Sequence, residues 1–101
     1  MQSDRLTLSA KRGGGILRYE VWGYLLSGGR QQVTRYSMAY INPAICQRDN
    51  GRVLGYDNAH DGHHRHYIGK LEQVDFVSYE DTADRFTAEW QDIAARHSRR
   101  K

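Results

Sequence analysis

Residues 16–26, ILRYEVWGYLL, and 31–41, QQVTRYSMAYI, joined by Ser27-Gly28-Gly29-Arg30, decide the fold. In the first run Leu17, Tyr19, Val21, Gly23 and Leu25 fall on one side, opposite Ile16, Arg18, Glu20, Trp22, Tyr24 and Leu26. In the second, Thr34, Tyr36, Met38 and Tyr40 alternate with Val33, Arg35, Ser37, Ala39 and Ile41. Aromatic and β-branched residues at period two predict strands. Gly28 and Gly29 supply the positive φ that a tight connection needs. Pro43 has no N–H to give a ladder, so the second strand should end before it. The pair is a long antiparallel hairpin, Ile16–Leu26 with Gln31–Ile41.

Toward the N-terminus, residues 4–10 alternate weakly and suit a short strand, and the glycines within Lys11–Gly15 read as a turn. Toward the C-terminus, Asn50-Gly51 predicts a hairpin that joins a strand at Ala44–Arg48 to one at Arg52–Tyr56. His64–Ile68 returns as a further strand, with His64 and His66 on one face and Arg65 and Tyr67 on the other. Lys70–Val77 is a weaker extended segment. Ser78 then caps a helix whose first turns carry Glu80, Asp81 and Asp84. Tyr79, Ala83, Phe86, Trp90, Ile93 and His97 form one stripe along it, at alternating spacings of four and three. The expected fold is α+β: a curved antiparallel sheet of five or six strands, with a C-terminal amphipathic helix packed on it. The chain of 101 residues is the size of one domain, 1–101, with a flexible basic tail at about 98–101.

No apolar run approaches the roughly 20 residues of a membrane span, and Met1-Gln2-Ser3-Asp4-Arg5 lacks the apolar core of a signal peptide. A cytoplasmic protein without membrane contact is expected. Cys46 is the single cysteine, so an intrachain disulfide is excluded, as is a zinc site built from several thiolates. The net charge of +3 is modest, but arginine dominates the cations, and its planar fork matches phosphate. Seven tyrosines and two tryptophans accompany the arginines, and aromatic faces beside arginines are what single-stranded nucleic acid stacks on. An ordinary solvated surface with an arginine bias has the same composition.

The chemistry concentrates in Tyr56–Tyr67, where four of the five histidines occupy seven consecutive residues. Buried unpaired, such residues cost stability, so folding alone does not call for them. Three readings apply. In the first, His60, His64 and His66 are acid/base groups acting on an RNA phosphodiester. Asp57 then orients a histidine, Arg65 clamps the phosphate, and Tyr67 serves as an acid or stacking platform. Arg18, Arg35, Arg52 and Asn58 are the expected RNA-binding residues. This reading needs no cofactor and no metal. In the second, His60, His64 and His66, with Asp57 or Asp61, ligate a metal in a hydrolase. In the third, the segment is a polar loop in a nucleic-acid-binding or regulatory protein without catalysis.

Gly51-Arg52-Val53-Leu54-Gly55-Tyr56-Asp57-Asn58-Ala59-His60, then His64-Arg65-His66 and a helix with Phe86 and Trp90, resembles the TumE family of small toxins. The similarity spans roughly residues 15–95 and is carried by the Y-D-N-x-H…H-x-H segment. The resemblance implies the toxin of a type II toxin–antitoxin module, neutralised by a protein antitoxin that typically carries a helix-turn-helix domain. It implies Asp57, Asn58, His60, His64, Arg65 and His66 as the functional set. RNA cleavage is the further expectation from the histidines and arginines, and a homodimer is compatible with the size.

Overall fold

The computed structural model describes residues 2–25, 27–59 and 62–99. Six antiparallel strands follow one another across a single sheet, β1 (Gln2–Thr7), β2 (Ile16–Leu25), β3 (Gln31–Ile41), β4 (Arg52–Asp57), β5 (His64–Tyr67) and β6 (Lys70–Gln73). One helix, α1 (Tyr79–Arg99), packs on it. Each strand pairs with its sequence neighbour, a meander that short connections allow.

The alternation seen in the sequence sets the layers. Leu17, Tyr36, Met38, Tyr40, Leu54 and Tyr56 turn to α1 and are almost fully buried. α1 answers with Phe86, Trp90 and Ala94. The Phe86 ring meets Tyr19 and Tyr56 edge-on, at centroid distances of 5.6 and 6.4 Å, the T-shaped arrangement that ring quadrupoles favour. The helix starts where expected: the Ser78 hydroxyl accepts a hydrogen bond from the Asp81 amide at 3.0 Å. Ser98 and Arg99, expected in a loose tail, are its last described residues.

Among the described residues, alternation fails at two bulges, one between β3 and β4, where Tyr40 faces Leu54 but Ile41 faces Arg52, and one in the β2–β3 hairpin. Between Trp22 and Gly23 the register shifts, so Trp22 faces Arg35 while Gly23 faces Val33. The extra residue returns Val33 to the helix side, where it packs against the core, contrary to the simple alternating expectation. A side chain at Gly23 would stand 2.2 Å from the Gln32 carbonyl oxygen, so only glycine fits. Beyond Val21 and Ser37 the hairpin has no third strand among the described residues and projects as a two-stranded arm.

The expected strand at Ala44–Arg48 and the Asn50-Gly51 hairpin are both corrected. Residues 43–45 form a turn that the buried Asn42 organises. Its Oδ1 accepts from the Ala44 amide at 3.1 Å, and its Nδ2 donates to the Gly13 carbonyl and the Tyr40 hydroxyl, both at 3.1 Å. Asp49-Asn50-Gly51 is a 3₁₀ turn with positive φ throughout that leads into β4. The tight hairpin lies instead at Ile68-Gly69, between β5 and β6, with φ of 48° and 79°. Lys70–Val77 is a strand only as far as Gln73.

Candidate functional site

β4 and β5 pair Asp57 with His64 and Gly55 with His66, so these four positions share the sheet face turned away from α1. The Asp57 carboxylate is the hub. Its Oδ2 lies 2.8 Å from His66 Nε2, and its Oδ1 lies 3.7 Å from His64 Nδ1. On the far side of His66, Arg52 NH2 stands 3.0 Å from Nδ1. Arg52 Nε is held by Asp49 at 2.6 Å, and Arg52 NH1 is 3.9 Å from Asp57. The four side chains Arg52, Asp57, His64 and His66 are only 13–21% exposed, so the network is sheltered although it lies on an open face.

Two consequences follow from donor and acceptor inventories alone. A guanidinium only donates, so His66 Nδ1 accepts from Arg52 and its Nε2–H donates to Asp57. Both ring nitrogens of His66 are therefore engaged, one by Arg52 and one by Asp57. His64 differs: at 3.7 Å its Nδ1 is beyond a hydrogen bond from Asp57 but inside ion-pair range, and its Nε2 has no bonded partner among the described residues. Of the two rings, His64 is the one that keeps a nitrogen without a hydrogen-bond partner among the described residues, and the Asp57 carboxylate stands beside it.

Gly55 makes this possible, a role the sequence alone did not reveal. A Cβ there would stand 2.9 Å from Arg52 Cδ and 3.2 Å from the Met38 carbonyl oxygen, so Arg52 crosses the sheet over a bare backbone. Gly55→Ala is expected to lift Arg52 off His66 at a cost of about 1–3 kcal/mol. Imidazole ¹H–¹⁵N correlations should show a fixed Nε2–H tautomer of His66 in the parent protein and lose it in the variant.

The other expected residues divide sharply. Arg18 and Arg35 lie on the same open face. Arg65 and Tyr67 do not reach the histidines, because they sit one register position off and point to α1. Arg65 Nε is 3.1 Å from Glu89, its NH1 is 2.7 Å from Glu72, and its guanidinium covers the Tyr67 ring at 4.7 Å. Burial works against the Arg65 charge, but Glu89 and Glu72 outweigh it and hold its pKa above the usual range. The Tyr56 hydroxyl donates to the same Glu89, and burial with that carboxylate pushes it up to about 12. Asn58 spends its amide on the chain, accepting from the Tyr36 amide at 2.9 Å and donating to the Thr34 carbonyl at 3.0 Å. His60 and Asp61 lie outside the described residues. Among the described residues no three His, Cys, Asp or Glu side chains stand together as a set that could hold a metal.

His63 turns the other way, stacked on Phe76 at 3.9 Å with its Nδ1 2.8 Å from the Tyr36 hydroxyl. Burial, then the neighbouring His64, lowers its pKa. A base whose folded pKa lies below its unfolded value of 6.5 leaves stability unaffected above that pH. As pH falls below 6.5 only the unfolded chain takes up the proton, so stability declines until the folded pKa is passed. Urea unfolding between pH 7 and 5 should show this slope, and His63→Phe should flatten it.

No curated protein and no solved structure matches the chain. No helix among the described residues is long and apolar enough to cross a membrane. The sequence model described as "Toxin TumE" does match, over residues 13–97, which takes in β2 to β6, the Asp57 network and all but the end of α1. By that match, over most of its length, the chain belongs to the TumE family of toxins.

Proposed function

We propose that this toxin cleaves RNA without a metal, through His64 on the open face of the sheet. The observation that carries the reading is one carboxylate, Asp57, shared by a histidine with a nitrogen unbonded among the described residues and a histidine locked from behind by Arg52. In the reaction the 2′-oxygen attacks the adjacent phosphorus as His64 takes its proton, and the imidazolium formed is stabilised by Asp57. The bond to the 5′-oxygen breaks, and that oxygen takes a proton which water at the open face can supply. The products are a 2′,3′-cyclic phosphate and a 5′-hydroxyl, with no oxidant, reductant or cofactor consumed. Arg18 and Arg35 on the same face supply positive charge for the substrate backbone. Arg65 and Tyr67 have no part in this scheme, because both face α1.

A toxin family implies an antitoxin, and here the partner is a protein, with a helix-turn-helix domain as the expected type. Co-expression with the adjacent open reading frame should relieve growth inhibition and yield a stable complex. The deciding measurement for the chemistry is cleavage of a defined RNA with and without EDTA, with end-group analysis. Cyclic phosphate ends in EDTA support the scheme. Cleavage only with added metal, or no cleavage of any RNA, overturns it.

A further inference from the structure

β1 and β2 place Arg5 directly opposite Arg18 on the face away from α1. Like charges opposite one another destabilise a sheet, so the pair gives the fold nothing. Glu20, 3.6 Å from Arg18, offsets part of that charge, while Arg5 has no ion-pair partner among the described residues. Charge on an edge strand discourages aggregation, but that purpose needs Arg5 alone and not a second arginine inside the sheet. Further along the same face, Trp22 stands opposite Arg35 across the strands, with the guanidinium 5.0 Å from the ring centroid.

Between these cations and the histidines the face is low. Arg18 pairs with Ala39, Ala39 with Gly55, and Gly55 with His66, so the middle of the row from Arg5 to His66 carries small residues, with the Arg52 side chain lying over Gly55. At about 4.8 Å per strand, the row spans roughly 19 Å. α1 packs on the opposite side, against β3 and β4, and leaves this face open.

We infer that this row is a track for single-stranded RNA. A backbone phosphate bridges Arg5 and Arg18, a base stacks at Trp22 beside Arg35, and the strand runs past Ala39 and over the Arg52 side chain that covers Gly55 to place a phosphodiester at His64. The inference rests on RNA being the substrate of the histidine site, and adds where and in what form the RNA lies. A bridging phosphate relieves the repulsion that the bare pair carries. Duplex RNA hides its base faces from an aromatic platform, so single strands are selected.

The test is fluorescence anisotropy with a labelled single-stranded oligoribonucleotide and its duplex, across a salt series, in a His64→Ala background to prevent cleavage. The double variant Arg5→Thr/Arg18→Thr should weaken single-strand binding and flatten the log–log salt slope by about 0.7 for each phosphate it no longer neutralises. Its thermal midpoint should stay level or rise. Trp22→Val should weaken binding about fivefold or more with the slope unchanged. Arg96→Ala, which removes an exposed cation from α1, should leave binding as it was. Equal losses from Arg96→Ala and the double variant, equal binding of duplex, or no RNA binding at all each overturn the track. If the track variants bind normally while cleavage in EDTA still needs His64, the track falls and the cleavage scheme stands. If they lose binding but intact protein never cleaves RNA, the scheme falls and the track stands.

Discussion

His64→Ala is expected to cut RNA cleavage by about 10²–10⁴-fold, the usual loss when a positioned acid/base group is removed. The fold should survive, because His64 lies outside the core and, among the described residues, its one ion-pair partner is Asp57 at 3.7 Å. His66→Ala should also lower the rate, by a different route. Without His66, Arg52 and Asp57 lose the ring between them, and the carboxylate is free to turn away from His64. Imidazole in solution separates the two cases: it should restore part of the rate to His64→Ala, which lacks only the ring, and none to His66→Ala. A folded His64→Ala protein that cleaves at the parent rate would remove His64 from the chemistry and the proposed mechanism with it.

The same residues show how far the sequence could be read. Period two in residues 16–41 and in His64–Tyr67 was enough to separate His64 and His66 from Arg65 and Tyr67, because a pleat leaves no other choice. What alternation cannot supply is the covered face. Arg65 beside three histidines looks like a phosphate clamp until α1, two dozen residues later, brings Glu89 beneath it. Turn chemistry misled in both directions. Asn50-Gly51 is the strongest hairpin dipeptide by composition, yet Asn42 and Pro43 close a turn upstream and leave no strand for it to join. The actual tight hairpin has Ile68 at positive φ, a position that β-branched residues disfavour and that nothing local announces. Its support is tertiary: the Ile68 amide donates to the Val53 carbonyl at 2.9 Å. Arg52 was legible as a cation but not as a lock on His66, because its path depends on the missing Cβ of Gly55.

Arg65→Ala is expected to destabilise the protein by about 3 kcal/mol, the lower end of the range for removing one partner of a buried ion pair. The lower end applies because the Arg65 side chain is 19% exposed and Glu89 is 32% exposed, so water screens what remains. Without the guanidinium, the Glu89 carboxylate keeps, among the described residues, the Tyr56 hydroxyl as its hydrogen-bond partner, and Glu72 on β6 loses its tie to β5. The Tyr67 ring also loses its cationic cover. Glu89→Gln should cost less, since it keeps an acceptor for Tyr56 and leaves Arg65 its pair with Glu72. Urea unfolding measures both. Cleavage assayed well below the unfolding transition should be nearly unchanged in Arg65→Ala, because the residue points to the opposite face from His64. A phosphate clamp gives the reverse pattern: a folded, stable variant with a rate lower by orders of magnitude and a weaker dependence of RNA binding on salt. The two roles thus predict opposite changes in two measurements. That contrast decides whether the strand His64–Tyr67 carries one functional face or two.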